Sequence, residues 1–182
     1  GLSGATISIK QAEISNLTSK DNTIIGNTVL YGATDGKLYA AGQAGERFAV
    51  RNSGALAVTE GCGSNGCEYM TGGNIVILGE VGDNFAAGMT GGMAFIYDAK
   101  NQFEKKVNPE SVIWQKIETD FWKDILKQFI KEHYKQTNSK TSAFIIENFK
   151  DEVNRFIQVC PKEMLNKIKN PITYKSTIKE VS

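Results

Sequence analysis

The sequence predicts a mainly β chain wound into a parallel β-helix and followed by an α-helical segment. Three observations predict it. Met70-Thr71-Gly72-Gly73 returns nineteen residues later as Met89-Thr90-Gly91-Gly92, and each copy leads into strand-formers, Ile75-Val76-Ile77-Leu78 and Ala94-Phe95-Ile96-Tyr97. All 18 glycines fall between Gly1 and Gly92. Beyond Asp98 the apolar residues take up helical spacing instead. A fixed short period marks a solenoid, in which no single unit buries its own apolar face and stacking makes the core.

The period extends backward. A step of the same length from Gly73 reaches Gly54, ahead of Ala55-Leu56-Ala57-Val58; a step of eighteen reaches Gly36, ahead of Lys37-Leu38-Tyr39; Gly4 before Ala5-Thr6-Ile7-Ser8-Ile9 reads as an earlier turn. Short β-branched or alternating runs at 6–9, 28–31, 47–50, 56–59, 75–78 and 93–97 supply two or three strands per winding. Each would pair with its equivalent one coil above and below at about 4.8 Å, which puts Leu56, Val76 and Phe95 in one column. Glycine provides positive φ at the turns and lets backbones approach closely. Residues 10–22 are polar and break the period, so an insertion bulging from one coil is expected there.

Further on, Asn108-Pro109-Glu110 combines a cap residue, proline at a first helical position and an acid in the first turn, and predicts a helix start. Ile113 or Trp114, Ile117, Phe121, Ile125 and Phe129 would form its apolar face, with Trp122 and Leu126 beside it. A second helix is expected over 141–159, with Phe144 or Ile145, Phe149, Val153, Phe156 and Ile157 inside and Pro161 ending it. From Lys162 to Ser182 the period fades, although Met164, Leu165 and Ile168 allow one more turn. The expected organisation is a β-helix over residues 1–107, with its insertion near 10–22, and a helical extension over 108–182 that packs on it.

Composition bounds the function. A net charge of +1, split into −2 for residues 1–107 and +3 for the rest, gives no field that favours nucleic acid or an anionic membrane. There is no apolar run of about eighteen residues and no leader-like N-terminus, so neither a spanning helix nor secretion is expected. Three cysteines, an odd count, point to an intracellular reducing compartment. Cys62 and Cys67 stand five apart with no third thiol near and with His133 as the sole histidine, too few ligands for a structural metal. Buried, unreactive thiols are expected.

Gly61-Cys62-Gly63-Ser64-Asn65-Gly66 matches G-x-G-x-x-G, with Glu80 near the acidic position of a dinucleotide site. That chemistry needs a helix starting inside the glycines, and Gly72-Gly73 follows too soon to leave room for one. Glu46, Arg47, Arg51, Glu60 and Glu68 resemble an acid–base cluster, but stacked coils favour a ladder or inter-coil salt bridges among them. His133 reads as a surface or helix-terminal histidine. No nucleophile elbow, zinc-helix or P-loop motif is present. No catalytic, cofactor-binding or metal-binding residue is predicted.

Four runs carry a resemblance: Gly26-Asn27-Thr28-Val29-Leu30-Tyr31-Gly32-Ala33-Thr34-Asp35-Gly36, Ala44-Gly45-Glu46-Arg47-Phe48-Ala49-Val50-Arg51-Asn52-Ser53-Gly54-Ala55, Gly66-Cys67-Glu68-Tyr69-Met70-Thr71-Gly72-Gly73, and Asn84-Phe85-Ala86-Ala87-Gly88-Met89-Thr90-Gly91-Gly92. They resemble the C-terminal, G-x-G-x-G domain of the glutamate synthase large (alpha) subunit, most closely up to Asp98 and more weakly through Thr141-Ser142, Ala143, Phe156 and Pro161. Ser64-Asn65 departs from the family's acidic residue and histidine. The resemblance implies a right-handed parallel β-helix that Gly1 enters partway along. It further implies a parent in which an amidotransferase domain hydrolyses glutamine, and ammonia passes through a tunnel to a synthase domain holding FMN and a [3Fe–4S] cluster. There 2-oxoglutarate is aminated, giving two glutamates in all. The β-helix itself holds neither cofactor; it packs on both domains and keeps them in register.

The function expected is therefore a non-catalytic scaffold, inactive alone, whose partners are those two domains. Self-association through an open end of the solenoid is also expected. Two alternatives stay open: a stand-alone β-helix enzyme such as a hexapeptide-repeat acyltransferase, whose six-residue period and histidine base differ from what is seen here, or a scaffold subunit of another redox enzyme.

Overall fold

The computed structural model describes residues 1–12 and 15–173. In chain order the strands are β1 (Thr6–Ile9), β2 (Thr23–Ile25), β3 (Lys37–Ala40), β4 (Gln43–Ala44), β5 (Ser53–Thr59), β6 (Thr71–Ile77), β7 (Gly91–Tyr97), β8 (Val112–Lys116) and β9 (Phe156–Pro161). The helices are α1 (Asp120–Thr137), α2 (Lys140–Glu147) and α3 (Phe149–Glu152). One sheet runs β1-β3-β5-β6-β7-β9-β8, parallel as far as β7 and antiparallel at β9 and β8. A second face holds the β2–β4 pair, continued by bridges from Ala44 to Cys62 and from Cys62 to Val81. This is a parallel β-helix flanked by helices.

Register shows the winding. Leu38, Ala57, Ile75 and Ala94 lie side by side at spacings of nineteen, eighteen and nineteen. Ile7 pairs with Leu38 across a longer span, because residues 10–22 are inserted in that coil. Leu56 does not join Val76 and Phe95 as expected: it pairs with Asn74, and Val58 takes the place beside Val76. A bulge between Ser53 and Leu56 and a winding of eighteen cause the slip.

The third face differs from expectation. Residues 28–31 and 47–50 are not strands. They belong to arcs in which alternate residues have positive φ: Thr28, Leu30 and Gly32; Arg47, Ala49 and Arg51; Asn65, Cys67 and Tyr69; Asn84, Ala86 and Gly88. A non-glycine residue in this region costs about 1–2 kcal/mol. Hydrogen bonds between windings offset it: the Ala49, Cys67 and Ala86 amides donate to the Val29, Phe48 and Gly66 carbonyls at 2.9, 2.8 and 2.8 Å. Leu30, Ala49, Cys67 and Ala86 thereby turn their side chains into the core. On the rim the Asn84 amide donates to Asn65, and the Asn108 amide to Asn84, each at 2.8 Å.

Asn108 thus continues a ladder rather than capping a helix, and the next element, residues 112–116, is a strand. The 156–161 segment is a strand as well, not the end of a second helix. The apolar residues of both fit helical and extended periods alike over so short a stretch, and pairing with the last coil decides for β. Phe95 and Ile96 sit opposite Gln158 and Ile157. Antiparallel β9 and β8 close this end of the sheet. A turn follows Lys162, with the Ile168 amide donating to Met164 at 3.0 Å; the remainder of the predicted tail, from 174, lies outside the described residues.

Two apolar layers result. One fills the solenoid with Leu38, Ile75, Ile77, Phe85, Ile96 and their neighbours. The other joins the outward columns, led by Tyr39, Val58, Val76 and Phe95, to the helices. Helix α1 covers them with Leu126, Ile130, His133 and Thr137, while Phe121, expected inside, is 43% exposed. The buried stripe is rotated by about one residue from the predicted face, since the helix begins at Asp120 and not near Asn108.

Candidate functional site

The polar residues singled out in the sequence scatter. Arg47 and Arg51 lie on the outer arc, where Arg51 stands over the Tyr69 ring at 6.0 Å. Among the described residues, no salt bridge involves Glu46, Arg47, Arg51 or Glu68, so the expected inter-coil ion pairs do not form. Cys62, Cys67 and Cys160 are free and buried. Burial pushes Cys62 up to about 12, Cys67 well above the ordinary thiol value, and Cys160 up to about 11. Burial keeps these thiols protonated and so lowers their reactivity as nucleophiles. No group of three or more His, Cys, Asp or Glu able to hold a metal occurs among the described residues. The 61–66 glycine run enters an arc rather than a helix, so no helix N-terminus is present there to hold a pyrophosphate.

Glu60 and His133 come together instead. Glu60 follows β5 at the coil corner and is 1% exposed; His133, on the last turns of α1, is completely buried and not at the surface. Its Nε2 lies 3.9 Å from Glu60 Oε1, an ion-pair distance too long for a hydrogen bond. The Ser139 hydroxyl donates to the same oxygen. Burial by itself raises the Glu60 carboxyl, but His133, Ser139 and Ser19 of the insertion outweigh it and hold the group below its ordinary value. Tyr39 stacks at a tilt against His133, 6.2 Å between ring centres, and burial with the Glu132 charge pushes its hydroxyl up to about 12.

Local structure explains why Ser139 sits there. Asn138 ends α1 in the left-handed region, φ 54°, with its amide donating to the Tyr134 carbonyl at 2.7 Å. Ser139 then caps α2, its Oγ accepting from the Ser142 amide at 3.1 Å. One hydroxyl therefore ties the α1–α2 corner to the solenoid. The Ser139 proton is committed to the Glu60 carboxylate. A second tie stands at the far end of the helices, where Tyr97 donates to Glu152 and Arg155 Nε lies 3.4 Å from Glu152 Oε2. Burial and the Glu152 carboxylate push Tyr97 up to about 12. Sequence reasoning missed both ties; the Asn138-Ser139 pair, a helix stop followed by a cap, was the available signal.

Outside the Glu60 cluster a cleft of about 1320 Å³ runs between the insertion, the coil corners and α2. Among the described residues, no helix is long and apolar enough to cross a membrane.

These features define a class: a parallel β-helix followed by helices that pack on its coils and are tied to them through Ser139–Glu60 and Tyr97–Glu152. The chain belongs to the GXGXG motif family, which it matches over residues 1–162. It is 60% identical, over 94% of its length, to the glutamate synthase [NADPH] large chain of Azospirillum brasilense, and 47% identical, over 89%, to that of Bacillus subtilis. It is also 47% identical, over 88%, to the chloroplastic ferredoxin-dependent glutamate synthase 2 of Arabidopsis thaliana. The chain spans only about a tenth of these relatives: 11%, 11% and 10% of their lengths. It is thus homologous to one domain of the glutamate synthase large chain.

Proposed function

We propose that this chain is the structural module of a glutamate synthase, a stiff post that keeps an ammonia-producing amidotransferase domain and an ammonia-consuming synthase domain at fixed separation. One observation carries the reading: five parallel strands stack as one ladder, in a chain 60% identical to part of a glutamate synthase. Of the readings left open by the sequence, the family favours this one. A solenoid bends only by breaking inter-coil hydrogen bonds together, so its length is set by the number of windings. The two polar ties and the apolar layer beneath α1 make helices and coils one body, so that domains touching either are held alike.

Chemistry is assigned to the rest of the polypeptide. The FMN and [3Fe–4S] cluster of the parent would supply the electrons for reductive amination of 2-oxoglutarate, and no residue of this chain is proposed to hold either group. The free cysteines favour a reducing compartment. The test is direct. The purified 182-residue chain should show no flavin absorbance after reconstitution with FMN and no release of ammonia from glutamine. Stoichiometric flavin, or turnover above that of a blank, overturns the reading.

A further inference from the structure

Gln158 is completely buried, and among the described residues neither its Oε1 nor its Nε2 has a hydrogen-bond partner. A buried carboxamide with both polar atoms unpaired is costly and rare. Side chains alternate along β9: Ile157 and Val159 enter the solenoid, while Phe156 and Cys160 enter the layer beneath the helices. Gln158 therefore lies in that helix-side layer. Its register neighbours are Phe95 of β7 and Gln115 of β8. Two carboxamides thus stand side by side across an antiparallel pair, where Cβ atoms are about 4.5–5.5 Å apart, and they do not bond each other. The Gln115 Nε2 donates instead to the Ile172 carbonyl at 2.9 Å.

The segment that draws Gln115 away is lightly fastened. Its root is firm: the Lys162 amide donates to Ser111 at 2.9 Å, and the Lys162 Nζ donates to the Pro109 and Glu110 carbonyls at 2.9 and 2.8 Å. The turn after it ends with the Ile168 amide on Met164. From Lys169 to Thr173 no backbone–backbone hydrogen bond is made among the described residues, and Pro171 has no N–H to give. The stretch is held by the Trp122 indole N–H, which donates to the Asn170 carbonyl at 3.1 Å, by Gln115, and by the Ile172 side chain, buried in the helix-side layer.

We propose that residues 169–173 are a strap with two discrete positions. In the closed one, observed here, Ile172 is buried and Gln115 holds its carbonyl. In the open one the strap lifts away from its turn, and the Gln115 carboxamide rotates onto Gln158. The exchange keeps the Gln115 N–H bonded and gives the Gln158 oxygen a donor. Burial of Ile172 favours the closed position and the amide pair favours the open one, and opposed terms of this kind make an element bistable and open locally. Opening would bare the helix-side layer beside Trp122 and Phe95, which are 6.0 Å apart between ring centres. The solenoid layer, into which Trp114, Ile157 and Val159 of the same two strands point, would stay closed.

Hydrogen exchange read by mass spectrometry on the full-length polypeptide tests this. Gln158→Met keeps the side-chain length but removes both the unpaired amide of the closed position and the pair of the open one. Exchange of the Asn170 and Ile172 amides should therefore slow roughly tenfold, with β5–β7 protected as before. Ile172→Asp should drive the strap open and speed the same exchange, and a density map of that variant should show the Gln115 and Gln158 carboxamides hydrogen-bonded to each other. Strap exchange that is unchanged or faster in a folded Gln158→Met overturns the proposal, and so does a Gln158 that stays unpaired in Ile172→Asp. Should Gln158→Met lose protection in β5–β7, the Ile172→Asp map decides alone.

Discussion

A methyl group added at Gly91 would lie 2.0 Å from the Thr71 carbonyl oxygen, whereas one added at Gly26 meets nothing within 4 Å. Gly91→Ala should therefore cost about 3 kcal/mol or more, and Gly26→Ala less than about 0.5 kcal/mol, in urea unfolding. Equal effects would show that the windings do not approach as described. Glu60 tests the buried tie. Its carboxyl is held below its ordinary value, so its contribution is complete above that value of 4.5 and is lost as pH falls through the depressed folded value. Glu60→Gln should lower stability by about 1–3 kcal/mol near neutrality, and the gap between variant and parent should close in acid. A gap that stays constant or widens on acidification would contradict this sign.

Among the elements, α1 separates what the sequence made legible from what it did not. The solenoid period could be read from repeated glycines, and the presence of C-terminal helices from apolar spacing. The arcs could not: Phe48-Ala49-Val50 suits a strand as well as it suits alternating φ, and only inter-winding hydrogen bonds decide. Strands β8 and β9 were hidden for a related reason, because their pairing partners lie in the last coil and not in local sequence. His133 looked terminal because it lies near the end of α1, yet the helix end is pressed onto Tyr39. The same displacement gives a prediction. Leu126→Ala, at a fully buried position, should cost about 2–5 kcal/mol, and Phe121→Ala, at a half-exposed one, under about 1 kcal/mol. The reverse order in thermal or urea unfolding would restore the face that sequence periodicity suggested.

At the scale of the whole molecule, the scaffold role proposed above reduces function to length. Each winding adds about 4.8 Å along the stack, and the helices are tied to the coils at both ends, through Ser139–Glu60 and Tyr97–Glu152. A post of the proposed kind would contribute to a reaction by where it puts other groups. The most direct measurement inserts one extra winding, a duplicate of residues 73–91, into the full-length polypeptide and assays three rates. Glutamine hydrolysis and glutamate formation from added ammonia should persist, while glutamate formation driven by glutamine falls by roughly a hundredfold, the scale on which small misplacements act. An unchanged coupled rate, or the loss of either separate reaction with the fold intact, would contradict the account.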